Sequence, residues 1–170
     1  TSSHNSDETL ARTATMIANR MKVDACSIYI FDADQSILIL KATHGLDQST
    51  IEKVRMLPSE GLVGLVLERS SAVQESKMHE HPRFKAFPQT KEDSFSSFLG
   101  VPLIEHRKSF GVLVVHTIES RTFPPEEVQL LSSIATQISS LVSKALLLKQ
   151  LDTATQEPTT QLRGKGTSLH

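Results

Sequence analysis

Between Ser97 and Thr117 the chain carries two apolar runs, Ser97-Phe-Leu-Gly-Val-Pro-Leu-Ile104 and Phe110-Gly-Val-Leu-Val-Val-His-Thr117, parted by Glu-His-Arg-Lys-Ser109. Two β-branched-rich runs joined by so short a polar break predict a β-hairpin. Both alternating sets are apolar, Leu99, Val101 and Leu103 against Phe98, Gly100, Pro102 and Ile104. Strands of this kind need cover on both faces, which predicts a central position in the sheet. Pro102 opposes that reading, because proline cannot donate to a ladder and belongs at an edge or a bulge. A local bend is expected there.

The rest of the chain arranges itself around this hairpin. Residues 1–9 are polar and are expected to be disordered, after which Leu10, Ala14, Ile17, Ala18 and Met21 recur at helical spacing and predict a helix from about Asp7 to Lys22. Cys26-Ser-Ile-Tyr-Ile-Phe31 and Ile37-Leu-Ile-Leu-Lys-Ala-Thr43 read as a second hairpin turned by Asp32-Ala-Asp-Gln-Ser36. A short helix is expected within 47–54, an extended piece at 55–57, a helix at 62–69 and a brief edge strand at Val73-Gln-Glu75. About twenty residues without a clear period follow, from Ser76 to Phe95. Met78, Phe84, Phe87 and Phe95 punctuate them, which favours a folded cover over a disordered segment.

Phe123-Pro-Pro-Glu-Glu127 opens a last helix, with proline near its first position and two acids at the positive end of the dipole. It is expected to run to about Leu151 and to carry more apolar positions than one stripe. One face would cover the sheet and the other would need a partner. Leu131, Ile134, Ile138, Leu141, Ala145 and Leu148 are the candidate dimer residues. Beyond Leu151 the polar stretch containing Pro158 reads as a linker.

Composition narrows the function. The formal net charge of -1 gives no global basic field for nucleic acid or for an anionic membrane. Lone Cys26 excludes an intramolecular disulfide and a multi-cysteine zinc site, which fits a reducing compartment. No apolar run approaches the roughly 20 residues of a bilayer span, and residues 1–9 have no signal-peptide character. A soluble cytoplasmic protein without a membrane or nucleic-acid partner is expected. The chain does not begin with Met and reads as a piece of a longer protein.

The order of helix, hairpin, short helices, cover, central hairpin and long helix resembles a GAF domain, a PAS-like sensory fold. Ala25-Cys-Ser-Ile-Tyr-Ile30, Pro58-Ser-Glu-Gly-Leu-Val-Gly64, His81-Pro-Arg-Phe84 and Phe98-Leu-Gly-Val-Pro-Leu103 carry the likeness, with Phe110-Gly-Val-Leu-Val-Val115 and the start of the last helix. The central hairpin is most similar to the N-terminal GAF domain of nitrogen-type enzyme I phosphotransferases. Leu162-Arg-Gly-Lys-Gly-Thr-Ser168 is similar to the entry into their phosphohistidine domain. The resemblance implies an α+β fold: an antiparallel five- or six-stranded sheet with the terminal helices on one face and short helices plus a long loop on the other. It divides the chain into a disordered start (1–9), the GAF domain (10–151) and a linker with the beginning of the phosphohistidine domain (152–170). It also implies a parent that takes phosphate from phosphoenolpyruvate and passes it to a small carrier protein, tuned by nitrogen status with glutamine as the signal. This fragment is expected to hold only the sensor, with no catalytic residues and no cofactor.

Specialised members of the family are disfavoured by what is missing. The cyclic-nucleotide signature begins Asn-Lys, whereas Asn5 and Asn19 precede Ser and Arg; a bilin needs a pocket cysteine and Cys26 falls within a strand; sulfoxide reduction needs several cysteines. His79 and His81 read as exposed loop histidines, so no metal is expected. Where the family often has an acid four positions before the His-Pro pair, this chain has Lys77. A small-metabolite pocket is expected between the sheet and the cover, walled by Leu62, Val63, Phe84, Phe98, Gly100 and His116, with a homodimer transmitting its state. Two other readings stand beside this one: a dimerisation module without ligand, and the GAF domain of a σ54-dependent transcriptional activator.

Overall fold

The computed structural model describes residues 2–87 and 94–168, and the side chains of 5–87 and 94–151. Helix α1 (Ser2–Met21) leads into β1 (Ala25–Asp32) and β2 (Ile37–His44), and a short β3 (Arg55–Met56) follows. Helix α2 (Gly61–Arg69), β4 (Val73–Glu75), β5 (Ser97–Glu105), β6 (Lys108–Thr117) and α3 (Pro125–Ser168) complete the chain. The strands form one six-stranded antiparallel sheet in the order β3-β2-β1-β6-β5-β4. The α+β architecture is the expected one, and the sheet has six strands.

The central hairpin explains its own proline. β4 pairs only with Phe98, Leu99 and Gly100, so β5 is an inner strand up to Gly100 and an edge strand beyond it. Pro102 lies in that free part, opposite Val112, and the register shifts between Leu103 and Ile104. Proline is tolerated where no ladder bond is asked of it. The strands also run further than the polar break suggests, leaving a two-residue turn at His106 and Arg107 with φ of 53° and 64°. Left-handed backbone at both positions is what the right-handed twist of a tight hairpin demands.

Alternation sorts the core into two layers. Leu99, Val101, Leu103, Leu113 and Val115 pack with Leu10, Ala14 and Ile17 of α1 and with Leu131, Ala135 and Val142 of α3. On the opposite face Tyr29, Phe98, Val112 and Val114 pack with Leu62, Val63 and Val66 of α2 and with Met78 of the cover.

Several boundaries differ from expectation. α1 begins at Ser2, so most of the stretch expected to be disordered is helical. Its small polar residues suit a close helix contact: Ser6 is 5% exposed and Thr13 6%. The helix expected within 47–54 shrinks to one 3₁₀ turn, Gln48–Thr50, capped by the Asp47 carboxylate, which accepts from Ser49 N. The expected linker after Leu151 continues α3 to Ser168, through Pro158. Residues 88–93 of the cover and 169–170 of the expected phosphohistidine entry lie outside the described residues.

α3 also corrects two readings. Pro125–Leu151 is long and apolar enough, by length and composition alone, to cross a membrane, contrary to the expectation that no such run exists. Its apolar side is used within the fold, against β5 and α1. The same packing removes four of the six dimer candidates, since Leu131, Ile134, Ile138 and Ala145 are buried in this chain's own core. Leu141 and Leu148 remain exposed, at 44% and 39%.

Candidate functional site

The α2 side of the sheet contains a small recess. Its floor is Phe98 of β5 and Met56 of β3, and its wall is the first turn of α2, where Gly61, Leu62 and Val63 follow one another. Met78, Phe84, Lys85 and Phe87 of the cover close it. The cavity is about 20 Å³, room for about one water. Phe84 and Phe87 are the two aromatic side chains of the cover that line it.

Glycine makes this wall possible. Gly61 has φ of 69°, a left-handed conformation that starts α2 beneath Lys85 and beside the Met56 thioether. Gly64 is pressed against the preceding turn, where an added Cβ would lie 2.2 Å from Pro58 O. Glu60, at the N-cap position, makes no side-chain capping bond. Its carboxylate instead accepts from Leu57 N at 3.3 Å and pairs with Lys85.

The described part of the cover is fastened at several points. Arg83 pairs with Glu68 of α2 at 3.0 Å and donates to Pro58 O at 3.4 Å, while its own backbone N–H donates to His81 Nδ1 at 2.9 Å. That bond makes Nδ1 an acceptor and puts the His81 proton on Nε2, 3.8 Å from Glu75. His79 Nε2 donates to Phe95 O at 2.8 Å, and its ring lies 4.6 Å from that of Phe84. Met78 N donates to Ser96 O at 2.7 Å. Both loop histidines therefore fasten the cover, and among the described residues no three His, Cys, Asp or Glu side chains gather around a possible metal.

Of the six expected pocket residues, Leu62, Val63, Phe84 and Phe98 line the recess, whereas Gly100 and His116 do not. Both missing residues sit on the expected face of the sheet but further along it. Gly100 is covered by Val66 and by the Phe98 ring, each 2.8 Å from where its Cβ would be. His116 is 1% exposed, donates from Nδ1 to Ser97 O at 3.1 Å, stacks on Phe95 and meets the edge of Phe98. It flanks Phe98, its cross-strand neighbour on the same face of the sheet. Met56, Gly61, Met78, Lys85 and Phe87 were not expected as walls. Met78 and Phe87 had left a signal as apolar residues in a polar stretch. Cys26 is fully buried, and burial pushes its thiol far above the ordinary range, leaving it a core residue without thiolate chemistry.

A second depression, open to solvent and of about 270 Å³, runs between the start of α1 and the middle of α3. Asn5, Ser6 and Thr9 line one side, Leu141, Lys144, Ala145 and Leu148 the other.

The GAF domain family profile matches residues 5–142. The chain belongs to the GAF domain family. It is 36% identical over 141 residues to the phosphoenolpyruvate-dependent phosphotransferase system protein of Escherichia coli, covering 83% of this chain and 19% of that protein. This GAF chain thus spans about a fifth of the length of that relative. Among solved structures, the GAF domain of a phosphoenolpyruvate-protein phosphotransferase (ptsP) from Coxiella burnetii matches with a TM-score of 0.78 and 30% identity, over 84% of each chain. A more distant relative is nitrogen fixation protein VnfA of Azotobacter vinelandii, 22% identical over 87% of this chain and 29% of its own length.

Proposed function

We propose that this GAF domain is the regulatory sensor of a phosphoenolpyruvate-protein phosphotransferase, and that a small metabolite binds between its sheet and its cover. The observation that carries the reading is the recess itself: an apolar floor, a helix start and a fastened cover converge on one place, and the residues closing it belong to the cover. Phe84 and Phe87 act as an internal plug. A ligand that displaces them re-sets the cover, and the sheet passes that change to α3 on its other face. Glutamine is the metabolite the enzyme I likeness implies. The parent's catalytic domains and a small phosphocarrier, all cytoplasmic, are the proposed recipients of the signal.

Calorimetric titration of the folded domain with L-glutamine and related amino acids tests this reading. Saturable heat with any of them is expected, and flat heats across the panel overturn it.

The small recess and the groove between α1 and α3 favour a second reading, a dimerisation module. The exposed Leu141 and Leu148 would then meet their counterparts in a second copy. Sedimentation that gives a dimer for the native chain and a monomer for Leu141→Lys/Leu148→Lys supports it; a monomeric native chain removes it. The activator reading rests on two distant likenesses, to VnfA and to a Nif-specific regulatory protein that is 25% identical over 156 residues.

A further inference from the structure

The recess has one charged side chain in its lining, Lys85, and that side chain is paired with Glu60 at the rim. Every other lining side chain is apolar. The pair is therefore what a ligand's polar groups meet as they enter. Glu60 is the fixed member, since its other oxygen accepts from Leu57 N. Its side chain is 27% exposed, and that of Lys85, lying 5.4 Å from the Phe87 ring centroid, is 47% exposed.

Opening such a pair decides what can bind. A lone anion would take Lys85 and leave Glu60 without its partner. A lone cation would do the reverse. A group that brings one charge of each sign in close succession satisfies both and leaves the net charge of the site unchanged. An exposed pair of this kind contributes little on its own, so exchanging partners costs little.

We propose that the Glu60–Lys85 pair reads a free α-amino acid as a zwitterion, Glu60 receiving the ammonium and Lys85 the carboxylate. The amino acid's side chain then takes the apolar space that Phe84 and Phe87 fill. This inference rests on the sensing reading above and assigns the two residues that recognise the main-chain groups of the metabolite.

The test uses the native domain, Glu60→Gln and Lys85→Met, titrated calorimetrically with two series. One is L-glutamine, its desamino analogue glutaramate and its decarboxylated analogue 4-aminobutanamide. The other is L-leucine, 4-methylpentanoate and isopentylamine. Gln at position 60 keeps an oxygen for Leu57 N, so the rim persists while the charge is lost. In whichever series binds, Glu60→Gln is expected to weaken the intact amino acid at least about tenfold and the desamino analogue by less than about twofold. Lys85→Met gives the mirror result, weakening the intact amino acid and sparing the decarboxylated analogue. If intact and truncated compounds weaken equally, or neither variant weakens the amino acid, the pair is structural and the assignment falls while sensing stands. If nothing binds the folded native domain, sensing and assignment fall together.

Discussion

At the scale of single residues, the close contacts around α2 are the most exacting feature. Gly64 faces backbone, and Pro58 O cannot yield as the end of a flexible side chain can. Gly64→Ala should therefore destabilise the domain by about 1–3 kcal/mol, read as a lower urea midpoint at unchanged slope. A native-like midpoint would mean that α2 can move away from the turn freely. The same scale shows why the pocket was only partly legible. Alternation identifies a face of a strand, and Phe98, Gly100 and His116 do share one. It does not tell which neighbour covers each position along that face. Val66 had already taken the place above Gly100, and Phe95 that beside His116. Lys85 and Met56 carried no periodic signal, because both reach the recess from short or irregular segments.

At the scale of elements, the two layers were readable because the middle stretches of β5 and β6, residues 98–104 and 110–115, carry no polar side chain on either alternating set, whereas helix ends were not. α1 starts early because Ser6 fits where α3 comes close, and no rule of hydrophobic spacing marks a buried serine. The two faces of the sheet are joined at its edges by polar ties. Gln74 of β4 donates to Phe123 O at 3.2 Å and accepts from Phe123 N at 3.0 Å, just before α3. At the other edge Glu52 meets Lys41 at 2.9 Å and Lys149 of α3 at 3.3 Å, and Lys149 also reaches Asp7 of α1 at 3.2 Å.

Partial burial pushes the Glu52 carboxyl up, but the two lysines together outweigh it and hold the group below its ordinary 4.5. Partial burial likewise pushes the Lys149 ammonium down, and Asp7 and Glu52 outweigh that and raise it. Because the folded value of Glu52 is lowered, its contribution is present above the unfolded-chain value and is lost as pH falls through the lowered one. For Lys149 the contribution is present below the ordinary lysine value and is lost as pH rises through the raised one. Glu52→Gln should cost roughly 0.2–1 kcal/mol at pH 7, the range of half-exposed pairs, and the gap from the native protein should close as pH drops below about 4. Thermal unfolding at pH 7 and pH 3 checks this; an equal gap at both would show that the Glu52 charge is not what matters.

At the scale of the whole molecule, the sheet separates a fastened recess from a helical layer built to extend beyond it. α3 is 44 residues long, roughly 66 Å at 1.5 Å per residue, far more than the sheet it covers. The sequence pattern made this overhang foreseeable up to Leu151. It did not disclose the continuation, because Pro158 reads locally as a break. Met56 pairs with β2 and lines the recess, while Glu52, four residues earlier, contacts α3. One short segment thus touches both layers. If filling the recess is felt by α3, hydrogen exchange of the native domain with and without saturating L-glutamine will register it. Slower exchange in residues 76–87 is expected together with altered exchange in 125–151. Saturation of the domain with no change in 125–151 would contradict it.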